Sequence, residues 1–145
     1  MIRASITAGL GLTLAALAAP ALAAEHLVVV ERPVGEVTVP VGGKEDAIGN
    51  LLVFANKVYD ATNKMAAGSD QGMCVRTVVG KAWECWLTYV TKDGQITAEG
   101  PYTDSGDSTW TVTGGTGKYA GARGSMKLHG VDAKPSAIVF TYDLL

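Results

Sequence analysis

The stretch from Ser108 to His129, "STWTVTGGTGKYAGARGSMKLH", contains two strand-like runs joined by a segment with five glycines. In the first run Trp110 and Val112 alternate with threonines, and in the second Met126 and Leu128 alternate with polar residues. Such alternation is typical of antiparallel strands with one buried face. The glycines between the runs allow the left-handed backbone conformations of turns, so the whole stretch predicts a β-hairpin.

The Gly117-Lys118 pair in this segment suggests an alternative, a loop that holds a phosphate. A P-loop needs a glycine five residues before the Gly-Lys glycine and a hydroxyl residue after the lysine, but Val112 and Tyr119 stand there. The dinucleotide-binding pattern fails as well, because its third glycine falls at Gly121, one residue late. The hairpin therefore remains the better interpretation.

Runs like these recur along the chain, rich in Val, Ile, Thr, Tyr and Trp and separated by Gly, Asp and Pro. We predict strands over 26–32, 50–59, 72–79, 82–90, 95–100, 108–113, 123–129 and 137–143. Asp93-Gly94 is a strong signal for a two-residue hairpin turn. Eight short strands in a chain of this size predict an all-β fold, an eight-stranded antiparallel up-and-down barrel, with a two-sheet sandwich as the alternative.

The first residues are expected to lie outside this fold. Residues 1–23 combine a short positive start, an uncharged run rich in Ala and Leu, and Ala21-Leu22-Ala23 as a cleavage signature. These features predict a secretory signal peptide, with a membrane anchor as the alternative. Residues 24–145 then form one β-barrel domain, located outside the cell or in the periplasm.

The charge content limits the classes of binding partner, and the two cysteines predict a disulfide. Without Arg3 the domain has 11 basic and 14 acidic side chains and no basic patch, which argues against nucleic acid and membrane as partners. Cys74 and Cys85 flank a tight connection at Gly80-Lys81 and fall opposite one another on neighbouring strands. In an exported chain they predict a disulfide that fastens the hairpin, although two free thiols remain an alternative.

Residue patterns for metal or nucleophilic chemistry are missing from the sequence. His26 and His129 are the only histidines and lie about a hundred residues apart, so no metal site is predicted. The acidic stretch from Asp104 to Asp107 lacks the rest of a calcium loop and is typical of a turn. We find no nucleophile elbow. Any activity is therefore expected to need no cofactor, or the protein only binds a ligand.

Five segments in order, "LLVFANKVY", "GMCV", "DGQITAEGPY", "DSTWTVTGGTGKYAGARGSMKLH" and "VFTYDL", resemble the allene oxide cyclase barrel family, which is related to the plant dirigent proteins. The resemblance extends from about residue 48 to the end and implies an eight-stranded antiparallel barrel. Plant members cyclise an unstable fatty-acid epoxide without a cofactor inside an apolar cavity. The resemblance also implies a homotrimer formed through the outer face, where Trp86 would suit such an interface if it faces outward.

The resemblance also proposes site residues. Phe54, Trp83 and Tyr102 match the family's apolar wall, Asn56 matches its site Asn and Cys74 its site Cys. Asn56 shares a strand face with Phe54, so it would be a polar group among apolar ones. Such a group either orients a ligand or satisfies a backbone group inside the barrel.

Two positions depart from the plant enzymes. Ungapped extension from Asn56 places His26 where they carry a first-strand Glu, and Glu25 or Glu31 would reach that place only with a shift of register. In a disulfide with Cys85, Cys74 would also be unable to act as a thiol. Plant-type cyclase activity is therefore not expected.

Three functional hypotheses follow from these observations. The first is a secreted, cofactor-free barrel that binds an apolar or aromatic small molecule and steers its cyclisation, isomerisation or coupling. The second is a non-enzymatic binding or carrier protein with the same barrel, which the missing first-strand Glu favours. The third is a fully packed barrel with a purely structural role.

Overall fold

A computed structural model describes residues 24–131 and 136–145. The predicted signal peptide, residues 1–23, lies outside the described residues. The described chain contains strands β1 (Glu25–Arg32), β2 (Glu36–Val39), β3 (Leu51–Asp60), β4 (Ala66–Val78), β5 (Ala82–Thr91), β6 (Gly94–Thr103), β7 (Ser108–Gly117), β8 (Gly124–Gly130) and β9 (Ile138–Leu144). A short 3-10 turn, Val41–Gly43, follows β2.

All neighbouring strands pair antiparallel, in the order β1-β9-β8-β7-β6-β5-β4-β3-β2. Pairing of β1 with β3, from Val29 opposite Asp60 to Arg32 opposite Lys57, closes this sheet into a barrel. Strand β2 continues beside β3 beyond the end of β1, with Val39 opposite Leu51. The strands β1 and β2 thus act as a single interrupted strand beside β3, so the barrel has eight strand positions. The prediction of an eight-stranded antiparallel barrel is confirmed.

Sequence reasoning missed β2 because its four residues, Glu36–Val39, are all exposed and show no buried face. The other predicted strands are present with shifted ends. The β5–β6 turn is present but falls one residue earlier than the Asp93-Gly94 signal predicts. Thr91 pairs with Gly94, so Lys92 and Asp93 form the two-residue loop and Gly94 begins β6. Register explains the shifted ends, because pairing with a neighbour extends a strand past the last residue that its own pattern marks.

The glycine-rich segment differs from the prediction in where its strand ends. We expected β7 to end at residue 113, but Gly114–Gly117 continue it, opposite Gly94–Thr97 of β6. Gly115 is needed there, because a Cβ on it would stand 2.3 Å from the Tyr119 carbonyl oxygen. The turn proper comes afterwards and inserts Tyr119 and Ala122 into the core at this end of the barrel. This segment therefore closes one end of the barrel.

The barrel interior is filled by alternate residues of every strand except β2. At the end closed by Tyr119 it is packed with Val58, Tyr89, Ile96, Tyr142 and Leu144. Tyr89 and Tyr142 stack there with ring centroids 6.1 Å apart. Packing of this kind leaves the opposite end of the barrel, where β1 gives way to β2, as the place for a cavity.

The Cys74–Cys85 disulfide is present, so that prediction is confirmed. The two residues lie directly opposite on β4 and β5, with Cα atoms 4.0 Å apart. Both sulfurs are buried in the barrel wall. Among the described residues no helix has the length and apolar character required to cross a membrane.

Candidate functional site

A cavity of about 110 Å³ lies inside the barrel, towards the end opposite Tyr119. Its wall is mostly apolar and includes Leu52, Phe54, Leu87, Trp110, Leu128 and Phe140, with the Cys74–Cys85 disulfide on one side. Two acidic side chains, Glu31 and Glu36, are the charged members of this lining. An apolar chamber with a few polar groups is the usual form of a small-molecule site.

Glu31 reaches the cavity from β1 and is almost completely buried, at 4% exposure. Alternation places it on the inner face with Leu27 and Val29, because successive strand side chains point to opposite sides. Burial, followed by the negative charge of Asp70, raises the pKa of Glu31 to about 9. Glu31 is therefore a carboxylic acid at neutral pH, able to donate a proton.

Asn56 hydrogen-bonds both to Glu31 and to the backbone between β1 and β2. Its Nδ2 donates to Glu31 Oε1 at 2.5 Å, and its Oδ1 accepts from the Val34 and Gly35 backbone N–H groups at 3.0 and 2.8 Å. Gly35 has no room for a side chain, since a Cβ would stand 2.2 Å from the Ala55 carbonyl oxygen. Asn56 therefore has two roles: its amide nitrogen orients Glu31, and its amide oxygen satisfies two backbone N–H groups.

A second buried acid, Asp70 of β4, lies behind Glu31. Neither Asp70 oxygen meets hydrogen-bond geometry with a donor in the described chain, although the Glu31 carboxyl and the Asn56 backbone N–H both lie close. Burial raises the pKa of Asp70 to about 6, and interaction with Glu31 opposes that rise. Two carboxyls this close share a proton, one acting as donor and the other as acceptor.

Tyr142 of β9 completes the buried polar group. Its hydroxyl is fully buried and has no hydrogen-bond partner among the described residues. Burial and the neighbouring charges of Asp70 and Glu31 raise its pKa well above the usual value for tyrosine. Glu31, Asp70 and the Tyr142 hydroxyl thus form a buried polar group within an otherwise apolar interior.

The cavity mouth is also acidic. Glu36 of β2 lines it, and partial burial raises the pKa of that carboxyl. Beyond the mouth is a vestibule of about 350 Å³, which shares Tyr102, Leu128 and Ile138 with the cavity. The loop after β6 and the end of β8 form the rest of its wall. A ligand longer than the cavity can therefore extend outward through the vestibule.

Arg76 holds the rim of this end together. Its Nη1 donates to both Asp104 oxygens at 2.7 and 2.8 Å, and its Nε lies 2.6 Å from Asp46 Oδ1. The guanidinium stacks 4.0 Å from the Trp83 ring centroid, and Trp83 Nε1 donates to Asp104. This buried cation is thus paired with two rim carboxylates, Asp46 and Asp104.

The residues predicted for the ligand cavity occupy different places. Phe54 and Tyr102 line the cavity. Asn56 reaches it only through Glu31, and Trp83 is part of the rim with Arg76 and Asp104. Whether any of the four contacts a ligand stays a prediction. Trp86 faces outward and is 43% exposed.

His26 does not occupy the place of an interior acid, which corrects the ungapped placement. Its side chain is exposed on the outer surface, with Nδ1 2.7 Å from Asp143 Oδ1. The interior acid on β1 is Glu31. Glu31 lies 25 residues before Asn56, five fewer than His26, so the chain between the acid and Asn56 is shorter than ungapped counting assumes. A shift of five, an odd number, reverses the side-chain face.

Sequence reasoning also missed Asp70 and Glu36. Asp70 is an even number of residues from Cys74 on β4, and Glu31 is an even number from Val29 on β1, so each acid shares the inward face of its strand. Neither signal is sufficient alone, because a buried acid contradicts the usual preference of acidic residues for the surface. Among the described residues no group of three or more His, Cys, Asp or Glu side chains could hold a metal ion.

A closed antiparallel barrel with a buried acid beside an apolar chamber defines a class of small barrel proteins with an interior site. Within it, the family model of allene oxide cyclase matches residues 31–145. The chain therefore belongs to the allene oxide cyclase family, as the sequence motifs indicated. The matched segment begins at Glu31 itself.

Solved structures share the fold at low sequence identity. The chain is similar to a pyocyanin demethylase, with a TM-score of 0.72, 23% identity and coverage of 83% of this chain and 100% of that chain. It is also similar to an exo-specific intermolecular Diels-Alderase (TM-score 0.66, 15% identity, 84% and 98% covered). A pterocarpan synthase dirigent protein gives a TM-score of 0.67, 17% identity and coverage of 84% and 93%.

Proposed function

We propose that this protein binds one small apolar or aromatic molecule in the barrel cavity and isomerises or cyclises it by proton transfer, without a cofactor. The observation that carries the proposal is Glu31, a carboxylic acid with a pKa of about 9, facing an apolar chamber. A general acid must hold its proton at the working pH, and burial beside Asp70 provides this. The names of the similar structures, a demethylase and a Diels-Alderase among them, support a barrel that hosts small-molecule chemistry.

The proposed reaction conserves atoms and electrons within the ligand. Glu31 donates its proton to a basic ligand atom, and the resulting carboxylate is stabilised by the hydrogen bond from Asn56. A proton leaving a ligand carbon then returns to the carboxyl pair, which restores the starting state. The cavity walls hold the ligand in one conformer and exclude water while this happens.

Cavity size limits the ligand. A cavity of about 150 Å³ admits one benzene ring in an engineered protein, and the cavity here is about 110 Å³. The buried part of the ligand is therefore one ring or a short chain, with any remainder in the vestibule. The long fatty-acid epoxide of the plant enzymes would extend beyond this volume.

A non-enzymatic carrier is the competing function. The sequence favoured it because the first-strand Glu seemed to be missing, and Glu31 in the interior removes that reason. The two functions differ in what Glu31 does. For an enzyme the wild-type protein should convert the ligand and Glu31→Gln should not, whereas for a carrier both proteins should release the ligand chemically unchanged.

The experiment begins with the ligand that co-purifies with the native protein, extracted and identified by mass spectrometry. Tryptophan fluorescence is then titrated with this compound and with phenolic and oxylipin-like compounds, since Trp110 lines the cavity. We expect saturable quenching, reduced in Phe54→Trp because the larger ring fills the chamber. No saturable response to any of these compounds would instead support the packed, structural barrel.

Export is part of the proposal. A buried disulfide suits an oxidising compartment, so we propose that residues 1–23 direct the chain outside the cytoplasm, to the periplasm or the medium. N-terminal sequencing of the exported protein should then begin at Ala24. A protein that keeps Met1 in the cytoplasm of its own cells would contradict this.

A further inference from the structure

The cavity has acidic side chains without basic partners. Glu31 and Glu36 line it, and Asp70 lies directly behind Glu31. No Lys or Arg belongs to the described lining of the cavity or of its vestibule. Buried or half-buried carboxyls are usually paired with a cation, so two that line one cavity without one, backed by a third, require an explanation.

The nearest basic side chains are already used elsewhere. Arg76 is held by Asp46 and Asp104 at the rim. Arg32, next to Glu31 in sequence, points to the outside of the barrel, where it donates to Asn63 and stacks 3.8 Å from the Tyr59 ring centroid. Neither guanidinium is available to neutralise the interior acids.

Tyr142 provides an independent observation. Its fully buried hydroxyl faces the same acids and has no hydrogen-bond partner in the described chain. Asp70, at 1% exposure, lies beside the Glu31 carboxyl and the Asn56 backbone N–H. A fully buried hydroxyl without a partner, beside the Glu31–Asp70 pair, makes this part of the interior polar where it adjoins the apolar cavity that Glu31 lines.

We infer that the ligand of this cavity is a small aromatic cation, such as a ring with a positively charged nitrogen, and not a carboxylic acid. The inference deepens the proposed function and rests on it, because it names the substrate class of the same site. The apolar walls accept the ring, while Glu31 and Glu36 in the lining face the charge and Asp70 adds negative potential from behind Glu31. An anion would meet Glu31 and Glu36 in a cavity whose described lining has no Lys or Arg, which makes its entry unfavourable.

The charge of the site depends on pH in a defined way. The Glu31–Asp70 pair titrates near pH 6 and near pH 9, so between these values it holds one proton and one negative charge. Glu36 on β2, Tyr102 on β6, Tyr89 on β5 and Tyr142 on β9 also face the pair. Cation binding should therefore strengthen as pH rises through about 6, while one carboxyl keeps its proton for catalysis.

The test uses two isosteric single-ring probes, N-methylpyridinium and toluene, with benzoate as the anion. Binding to the full mature protein is measured by calorimetry or NMR titration. We expect N-methylpyridinium to bind roughly tenfold more tightly than toluene, the effect of one partly buried charge, and benzoate not to bind. The advantage over toluene should shrink below pH 6.

Glu36→Gln is the informative variant, because β2 is exposed and the change is nearly isosteric. It should weaken N-methylpyridinium roughly fivefold and leave toluene unchanged. Glu99→Gln alters net charge equally but lies on the exposed outer face, so it should change neither affinity. Equal binding of both probes, or preference for benzoate, would overturn the cation inference while leaving the cavity intact. Failure of all three probes would overturn the proposed function as well.

Discussion

Glu31 owes its proton to its position on β1, between the apolar cavity and Asp70. Burial alone disfavours the carboxylate, and a second acid adds charge repulsion. The Asn56 amide opposes both effects without cancelling them, since the pKa of Glu31 still rises to about 9. The chemistry of the site thus comes from three side chains on three different strands.

Glu31 should make stability fall as pH rises. Its pKa is about 4.5 in the unfolded chain and about 9 in the fold, so the native state binds more protons over this interval. Stability attributable to Glu31 is complete below pH 4.5 and is lost as pH rises through 9. Glu31→Gln should therefore flatten the decline of urea midpoints between these values. An equally steep decline in the variant would contradict the assignment, and Glu99→Gln is the matched control.

Asn56 should be worth more to stability than a typical polar residue. Asn56→Ala leaves the Val34 and Gly35 N–H groups unpaired at the strand break and removes the donor to Glu31. We expect a loss of about 2–3 kcal/mol in the free energy of unfolding, measured by urea titration. Gln71→Ala, which removes an amide from the exposed face of β4, should change it by less than about 0.5 kcal/mol. Similar losses in both variants would refute the special role.

At the scale of elements, the glycine-rich end of β7 is fixed by close backbone approach. In Gly115→Ala the new Cβ would meet the Tyr119 and Gln95 carbonyl oxygens at 2.3 and 2.6 Å. In Gly114→Ala the nearest atom is Thr97 Oγ1, at 3.3 Å. We expect Gly115→Ala to lower the melting temperature strongly and Gly114→Ala to change it little. Comparable shifts would indicate that packing at Tyr119 is looser than the structure shows.

The β4–β5 hairpin is fastened by the disulfide. The chain-entropy estimate for a loop of this length, with a sequence separation of 11, gives about 2–3 kcal/mol. Replacing both Cys74 and Cys85 with alanine should lower the unfolding free energy by that amount or somewhat more, since both side chains also line the cavity. Thiol labelling provides the check: the native protein should label at neither cysteine without reductant.

Elements were predictable where alternation was clean. The hairpins around Asp93-Gly94 and Gly80-Lys81 followed from local turn signals and cross-strand spacing. Strand β2 did not, because its four exposed residues carry no pattern and it exists only by pairing with β3. The position of the acid depended on register, since Glu31 and His26 lie five residues apart on β1 and therefore point to opposite faces. Tertiary pairing, rather than local propensity, decided the position of the acid.

At the scale of the whole molecule, the outer face has an apolar row that crosses four strands. Val37, Val53, Met73 and Trp86 are cross-strand neighbours and are all substantially exposed. The homotrimer expected from the family resemblance would use this row. We expect light scattering to give a trimer for the wild-type protein and a monomer for Trp86→Glu, with cavity binding retained. A monomeric wild-type protein would contradict the prediction.

The break between β1 and β2 links the charge of the interior to the backbone at the surface. Through Asn56, the ionisation of Glu31 is connected by a single side chain to the amide protons of Val34 and Gly35. When Glu31 loses its proton, the Asn56 amide should polarise and those two amide resonances should move together in a nitrogen–proton NMR spectrum. The Val34 and Gly35 amide resonances should therefore report the ionisation of Glu31 directly, without a label or a ligand.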